Sequence, residues 1–235
     1  MPKLTPPVSQ FVSVDGVRLH YQVVGQDTPR LPIIFTHGGG PGSTAWSNFR
    51  LSAETFATRH RCYFLDFAQF GRSDMVPVHG PLLGWHARKL LGFMDALGLE
   101  RVHLINQSLG GAVALRLAAD SPQRVGRLIS IGAQPVDRGV LQPLPLFSKH
   151  AATLMSDYYL SDGGPSISKM RVLLGRYELH NDELLDDENL RLRFEASDNA
   201  SFIQLLQTPG AFGEWESLLP VLDRVQAPKI GRAHV

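Results

Sequence analysis

The sequence predicts an α/β protein: a doubly wound, mostly parallel sheet with an inserted helical cap. Two patterns carry this expectation. Short, continuously apolar runs alternate with helical stripes as far as Ile131, and beyond about Val136 the chain changes to short helical segments broken by Pro and Gly.

Phe11–Val14 and Val17–Val24 flank Asp15-Gly16, a pair favoured in two-residue hairpin turns. Leu31–Thr36 is apolar along most of its length, as a strand covered on both faces should be. A helix is expected over Trp46–Thr58 and a strand over Cys62–Phe67. Gly84–Leu97 carries a stripe of Leu90, Leu91, Phe93, Met94 and Leu97, with Gly98 placed to stop the helix. Val102–Ile105 reads as a strand, Leu109–Ala119 as a helix ending near Pro122, and Leu128–Ile131 as a strand. The expected division is 1–135 for the first part of the core, 136–220 for the cap and 221–229 for a return to the core. In the cap, Pro143, Pro145, Gly163, Gly164 and Pro165 break the chain, and no strand is expected. Ligands of such sheets bind beyond the carboxyl ends of the strands.

Composition narrows the function. A chain of 235 residues with 43% hydrophobic content can bury a sizeable core. Its net charge of +1 provides no field for nucleic acid or an anionic membrane, which leaves a small molecule as the expected partner. Apolar runs such as Leu31–Phe35 are too short to span a bilayer, and MPKLTPPVSQ lacks the apolar stretch of a secretory signal. The single cysteine, Cys62, suits a reducing compartment and reads as a small buried hydrophobe. A soluble cytoplasmic protein is expected. The acidic residues Asp182, Glu183, Asp186, Asp187 and Glu188 lack ligand spacing and read as a solvated helix face, so no metal site is expected.

Two motifs carry chemistry. Asn106-Gln107-Ser108-Leu109-Gly110-Gly111 joins an expected strand to an expected helix, the setting of a nucleophile elbow. Small residues let the chain turn sharply and expose the Ser108 hydroxyl, while the following helix directs N–H groups and partial positive charge at a developing anion. The Leu109 N–H would supply half of an oxyanion hole. The first glycine of the usual motif is Asn106 here, at a crowded position. The second motif, His37-Gly38-Gly39-Gly40-Pro41-Gly42, follows the strand ending at Thr36 and offers the other N–H from among Gly38, Gly39 and Gly40. A phosphate-binding loop is the rival reading of these glycines, but neither Gly-Lys-Ser/Thr nor G-x-G-x-x-G spacing is present.

HGGGPGSTAWSNFR, LDFAQFGRSD, the elbow and SPQRVGRLISIG together resemble the meta-cleavage product hydrolases, a group of α/β-hydrolases. The resemblance implies cleavage of a carbon–carbon bond in 2-hydroxy-6-oxo-dienoates from aromatic-ring degradation. It implies a keto tautomer attacked with the help of serine, histidine and aspartate, with no cofactor. By the same resemblance Ser108 is the nucleophile, Asn48 and Gln107 contact the dienoate, and Arg193 holds its carboxylate, as a guanidinium fork can. Relatives of this kind are often homo-oligomers.

The triad order in this fold is Ser, then Asp or Glu, then His. A strand expected near Ala227-Pro228-Lys229 would precede the acid, yet only His234 follows it. The other eight histidines lie before the elbow or in the cap, so no catalytic base or acid is assigned. Residues 230–235, Ile-Gly-Arg-Ala-His-Val, are what ATC GGA AGA GCA CAC GTC encodes, the start of a common sequencing adapter. They are expected to be an artefact, with the last strands and helix of the fold missing. The 235-residue chain is then expected to be inactive, and poorly soluble because a sheet edge is bare. A carboxylesterase or lactonase of the same fold, and a ligand-binding pseudoenzyme, are the alternative readings.

Overall fold

The computed structural model describes residues 6–133, 149–161, 163–181, 183 and 185–232. The elements in order are β1 (Gln10–Val14), β2 (Val17–Val24), β3 (Ile33–Thr36), α1 (Ala45–Ala57), β4 (Cys62–Leu65), β5 (Val78–Pro81), α2 (Leu82–Ala96), β6 (Val102–Gln107), α3 (Leu109–Asp120) and β7 (Val125–Ile131). The cap follows with α4 (Lys149–Leu160), α5 (Ile167–Leu173), α6 (Asp187–Ser197) and α7 (Ala200–Leu206), then β8 (Phe212–Glu214) and β9 (Lys229–Arg232).

Seven strands form one sheet in the order β1-β2-β4-β3-β6-β7-β9. The hairpin β1–β2 and the pair β2–β4 are antiparallel; every other neighbour in this sheet is parallel. β3 and β4 are buried along their whole length, which explains their unbroken apolar runs. On one face α1 packs Trp46, Phe49 and Ala53 against Phe35 and Phe64. Phe35 and Phe64 are in register and stack with their centroids 4.7 Å apart. On the other face α2 and α3 bury Leu90, Phe93, Val113 and Leu117 over Ile34, Leu65 and Leu104. Cys62 is buried on β4 as a free thiol, and burial pushes its pKa up to about 12.

The cap has a core of its own, built from Tyr158, Tyr159, Met170, Leu173, Leu174 and Leu190. Asp186 caps α6 by accepting from the Asn189 N–H at 2.7 Å, and Asp187 and Glu188 occupy its first turn, where the helix dipole favours acids. Pro143, Pro145 and the start of the cap lie outside the described residues. The expectation of a cap without strands is corrected: β8 pairs in parallel with β5 to make a two-stranded sheet. Segments this short, carrying Gly and Pro, have no alternating pattern to announce them. Residues 230–232, set apart from the fold by the sequence reading, continue β9 in register with Ile129–Ile131. Pairing at a sheet edge uses backbone groups and accepts almost any extended segment.

Phe35→Ala removes a fully buried ring from the centre of the α1 face. Urea unfolding of the variant is expected to show a loss of about 3–5 kcal/mol.

Candidate active site

β6 ends at Gln107 and α3 begins at Leu109, so Ser108 stands alone at the junction. Its backbone adopts φ 49° and ψ −114°, a conformation side chains rarely take and one that costs about 1–3 kcal/mol. Several contacts hold it there. The Ser108 N–H donates to the Ile131 carbonyl at 2.9 Å, and the Ser108 carbonyl accepts from Gly111 at 2.9 Å and Ala112 at 3.2 Å. The Gly110 N–H donates to the His37 carbonyl at 3.0 Å, which ties the elbow to the glycine loop. A Cβ on Gly110 would lie 2.5 Å from Thr36 Oγ1, and one on Gly111 would lie 2.5 Å from the Ala133 Cβ, so neither position admits a larger residue without movement.

Asn106 does not disrupt this turn. Its buried side chain accepts from Thr36 Oγ1 at 2.7 Å and donates from Nδ2 to the Ile129 carbonyl at 3.3 Å. The amide thus joins the strands on either side of β6, satisfying its polar atoms below the serine.

The glycine loop is held by a buried imidazole. His37 Nε2 accepts from the Phe67 N–H at 3.0 Å, so the proton sits on Nδ1, which donates to the Gly38 carbonyl at 2.7 Å. Burial lowers the His37 pKa, outweighing the opposing influence of Asp66. Asp66 in turn accepts from His20 Nδ1 at 2.8 Å and from the Ala45 N–H at the start of α1 at 3.0 Å. Gly39 lies against the Leu109 side chain. As the first residue of α3, Leu109 has an N–H without an intrahelical acceptor, pointing the positive end of the helix at the site.

Behind the loop lies a polar lattice. Ser43 Oγ donates to Asn48 Oδ1 at 2.9 Å, Asn48 Nδ2 donates to Gln107 Oε1 at 2.9 Å, and the Gln107 amide packs on Gly38. Arg193, buried on α6, donates from Nε and Nη2 to the Pro41 carbonyl at 2.9 and 2.8 Å. The same guanidinium donates from Nη1 and Nη2 to the two Glu178 oxygens at 2.7 and 2.8 Å. The cap is therefore latched onto the glycine loop by one arginine, and Arg50 of α1 reaches Asp186 at 3.6 Å as a second tie.

Ser108 opens on a cavity of about 410 Å³ bounded by Gly39, Leu109 and Ala112 from the core, with Tyr159 and Phe202 from the cap and Trp215 beyond it. Among the described residues that line it there is no Lys, Arg, Asp or Glu. His86, on α2, forms part of the wall, and neither of its ring nitrogens has a hydrogen-bond partner among the described residues. Burial, with a smaller contribution from His37, pushes its pKa down to about 3. No three or more His, Cys, Asp or Glu residues gather in a metal-binding cluster among the described residues.

A family model described as alpha/beta hydrolase fold matches residues 32–223. This chain belongs to the α/β-hydrolase family. Within it the chain resembles the meta-cleavage product hydrolases, the group its motifs imply. A 2-hydroxy-6-oxononadienedioate/2-hydroxy-6-oxononatrienedioate hydrolase of Paraburkholderia xenovorans (strain LB400) is 31% identical over 94% of this chain and 76% of the relative. A 2-hydroxy-6-oxo-6-phenylhexa-2,4-dienoate hydrolase of Burkholderia cepacia is 31% identical over 79% of this chain. The chain spans 66% of a second dioate hydrolase, 64% of the Burkholderia cepacia enzyme and about half of others. A mutant meta-cleavage product hydrolase from Pseudomonas fluorescens IP01, complexed with acetates, superposes with a TM-score of 0.67 at 25% identity, covering 95% of this chain and 89% of that one.

In this α/β-hydrolase the residues picked from sequence separate into two sets. Ser108, Gly39 and Leu109 line the cavity. Gly38, Gly40, Asn48, Gln107 and Arg193 are not among the residues that line it; they form or brace the loop from behind, each side chain engaged by protein groups. Sequence reasoning missed Glu178 and His86. A histidine interrupting the Leu82, Leu83, Leu90 and Phe93 stripe of α2 was the available signal for the second.

Gly110→Ala forces either Thr36 or the His37 carbonyl away; a loss of about 1–3 kcal/mol in thermal or urea unfolding is expected, with the elbow displaced. Acid sensitivity follows from the two buried histidines. Their folded pKa values lie below the usual 6.5, so the unfolded chain binds more protons once the pH falls below that value. Their contribution is complete above about pH 6.5 and is lost as the pH falls below it, for His86 down to about pH 3, by up to about 1.4 kcal/mol per pH unit for each histidine. Urea midpoints measured from pH 8 to pH 4 should fall, and His86→Phe should flatten the decline.

Proposed function

We propose that this site belongs to a serine-dependent carbon–carbon hydrolase acting on 2-hydroxy-6-oxo-dienoates. The strained Ser108 backbone, facing an apolar cavity beneath the His37–Gly42 loop, carries the proposal. Such a turn costs stability and gives the fold nothing except an exposed hydroxyl in front of a helix N-terminus. Ser108 is the nucleophile. The N–H of Leu109 and one N–H from the Gly38–Gly40 segment stabilise the oxyanion that forms at the carbon-six ketone. Attack of Ser108 at carbon six of the keto tautomer forms the oxyanion, whose collapse breaks the carbon–carbon bond and leaves an acyl-serine and a dienol; water then hydrolyses the acyl group to the carboxylic acid and frees Ser108.

The remaining assignments follow from placement. Asn48 and Gln107 keep the glycine loop in position through their shared hydrogen bond. Arg193 is the candidate for the dienoate carboxylate, and its fork already holds one carboxylate, that of Glu178, in bidentate fashion. Substrate would exchange with Glu178 there. The named relatives include hydrolases of a dioate and of a 6-phenyl dienoate. A cavity wall without a cation favours the uncharged phenyl type, because a carboxylate buried there would lack a counter-charge.

No hydrogen bond joins Ser108 Oγ to a histidine among the described residues. A serine hydroxyl without a base is a poor nucleophile, so the 235-residue chain is expected to bind the dienoate without turning it over. Mixing the protein with 2-hydroxy-6-oxo-6-phenylhexa-2,4-dienoate tests this by absorbance: a shifted, persistent spectrum is expected. Turnover that Ser108→Ala abolishes would refute the inactivity. Hydrolysis of simple esters without dienoate binding would favour a carboxylesterase or lactonase instead.

A further inference from the structure

A second cavity, of about 400 Å³, lies at the other end of β6 from Ser108 and shares no lining residue with the Ser108 cavity. Arg30, His60, His103 and Arg127 stand around it, over a floor that includes Ile105 and Ile129. Among the described residues that line it there is no Asp or Glu. Arg30 and Arg127 are exposed, and neither guanidinium has a hydrogen-bond or ion-pair partner among the described residues. Arg61 and Arg124 supply the contrast, since they are matched to Asp27 and Asp95.

The two imidazoles meet edge to face with their centroids 5.8 Å apart. His60 Nδ1 donates to the Leu31 carbonyl at 2.8 Å, which leaves Nε2 as its available nitrogen. His103 Nδ1 is buried against Gly126, where an added Cβ would lie 2.7 Å from it. Nε2 of each ring keeps access to solvent and has no protein partner among the described residues. Burial holds the His103 pKa below its usual value, and the positive charges of His60, Arg127 and Arg101 add to that effect. Cations gathered in this way repel one another, and a bound anion relieves the repulsion. The isoleucine floor adds a second requirement, because it rewards an anion with an apolar body over a small hydrated one.

We propose that this cavity binds an aromatic monocarboxylate, its carboxylate held by Arg30 and Arg127 and its ring seated on Ile105 and Ile129. A guanidinium fork matches a carboxylate in bidentate fashion. The site is separate from the Ser108 cavity and does not depend on the reaction assigned there.

Benzoate is the probe, titrated calorimetrically into the full 235-residue protein while the ring-proton resonances of His60 and His103 are followed by NMR. Benzoate is expected to shift both resonances and to raise the His103 pKa, because a nearby anion favours the charged imidazole. Toluene, which lacks the charge, is expected to leave both resonances unmoved. Acetate, which lacks the ring, is expected to bind about tenfold more weakly than benzoate. The double variant Arg30→Ala/Arg127→Ala is expected to bind benzoate about tenfold more weakly, whereas Arg127→Lys, which keeps the charge and loses the fork, costs about threefold. Both arginines are exposed, so these variants are expected to keep the urea midpoint of the parent protein. Benzoate heat that leaves both histidines unmoved, or that survives the double substitution, would overturn the proposal. Acetate binding as tightly as benzoate would overturn it too, as would toluene shifting the same resonances.

Discussion

The backbone of Ser108 is the constraint around which this molecule is organised. A non-glycine residue at positive φ persists only when its surroundings determine it more firmly than its own preference resists. Here the Ile131 carbonyl of the neighbouring strand, the His37 carbonyl of the glycine loop and the first turn of α3 all act on one short stretch. Those three groups come from β7, the loop after β3 and α3. The parallel order β3-β6-β7 is what brings their carboxyl ends side by side. Thr36 and Ile129 add a further layer beneath, through the amide of Asn106.

The same logic explains how little of the site's chemistry comes from charged side chains at the cavity itself. Among the described residues, the polar side chains that line the cavity are Gln69, His86, Ser108, Ser156, Tyr159 and Tyr177. The charged residues, Arg193 and Glu178, are withdrawn behind the loop and spend their hydrogen bonds on protein. An apolar cavity strengthens each remaining polar interaction, because little solvent is present to compete. It also makes an unpartnered buried group costly.

Much of the fold was legible from sequence, for identifiable reasons. β3 and β4 are buried on both faces and therefore read as short apolar runs, and Asp15-Gly16 announced the hairpin before β2. The elbow and the glycine loop were legible because their chemistry requires particular residue types at fixed spacing. β5 and β8 were not, since a short pairing over Val78–Pro81 is decided by where the end of the cap returns rather than by local pattern. Arg193 was recognisable by its motif, but its partner Glu178 was not. Nothing in the sequence between them reveals that the chain folds back to place a carboxylate in the guanidinium fork. His86 precedes the elbow, where the triad order of this fold places no catalytic base.

The latch between Arg193 and Pro41 makes the cap and the glycine loop one mechanical unit. Nε and Nη2 of a residue on α6 hold the Pro41 carbonyl of the glycine loop. Any displacement of α6 is therefore transmitted to that carbonyl and through it to the loop. Thermodynamic reciprocity then works in both directions: whatever favours a well-set loop favours a shut cap by the same free energy.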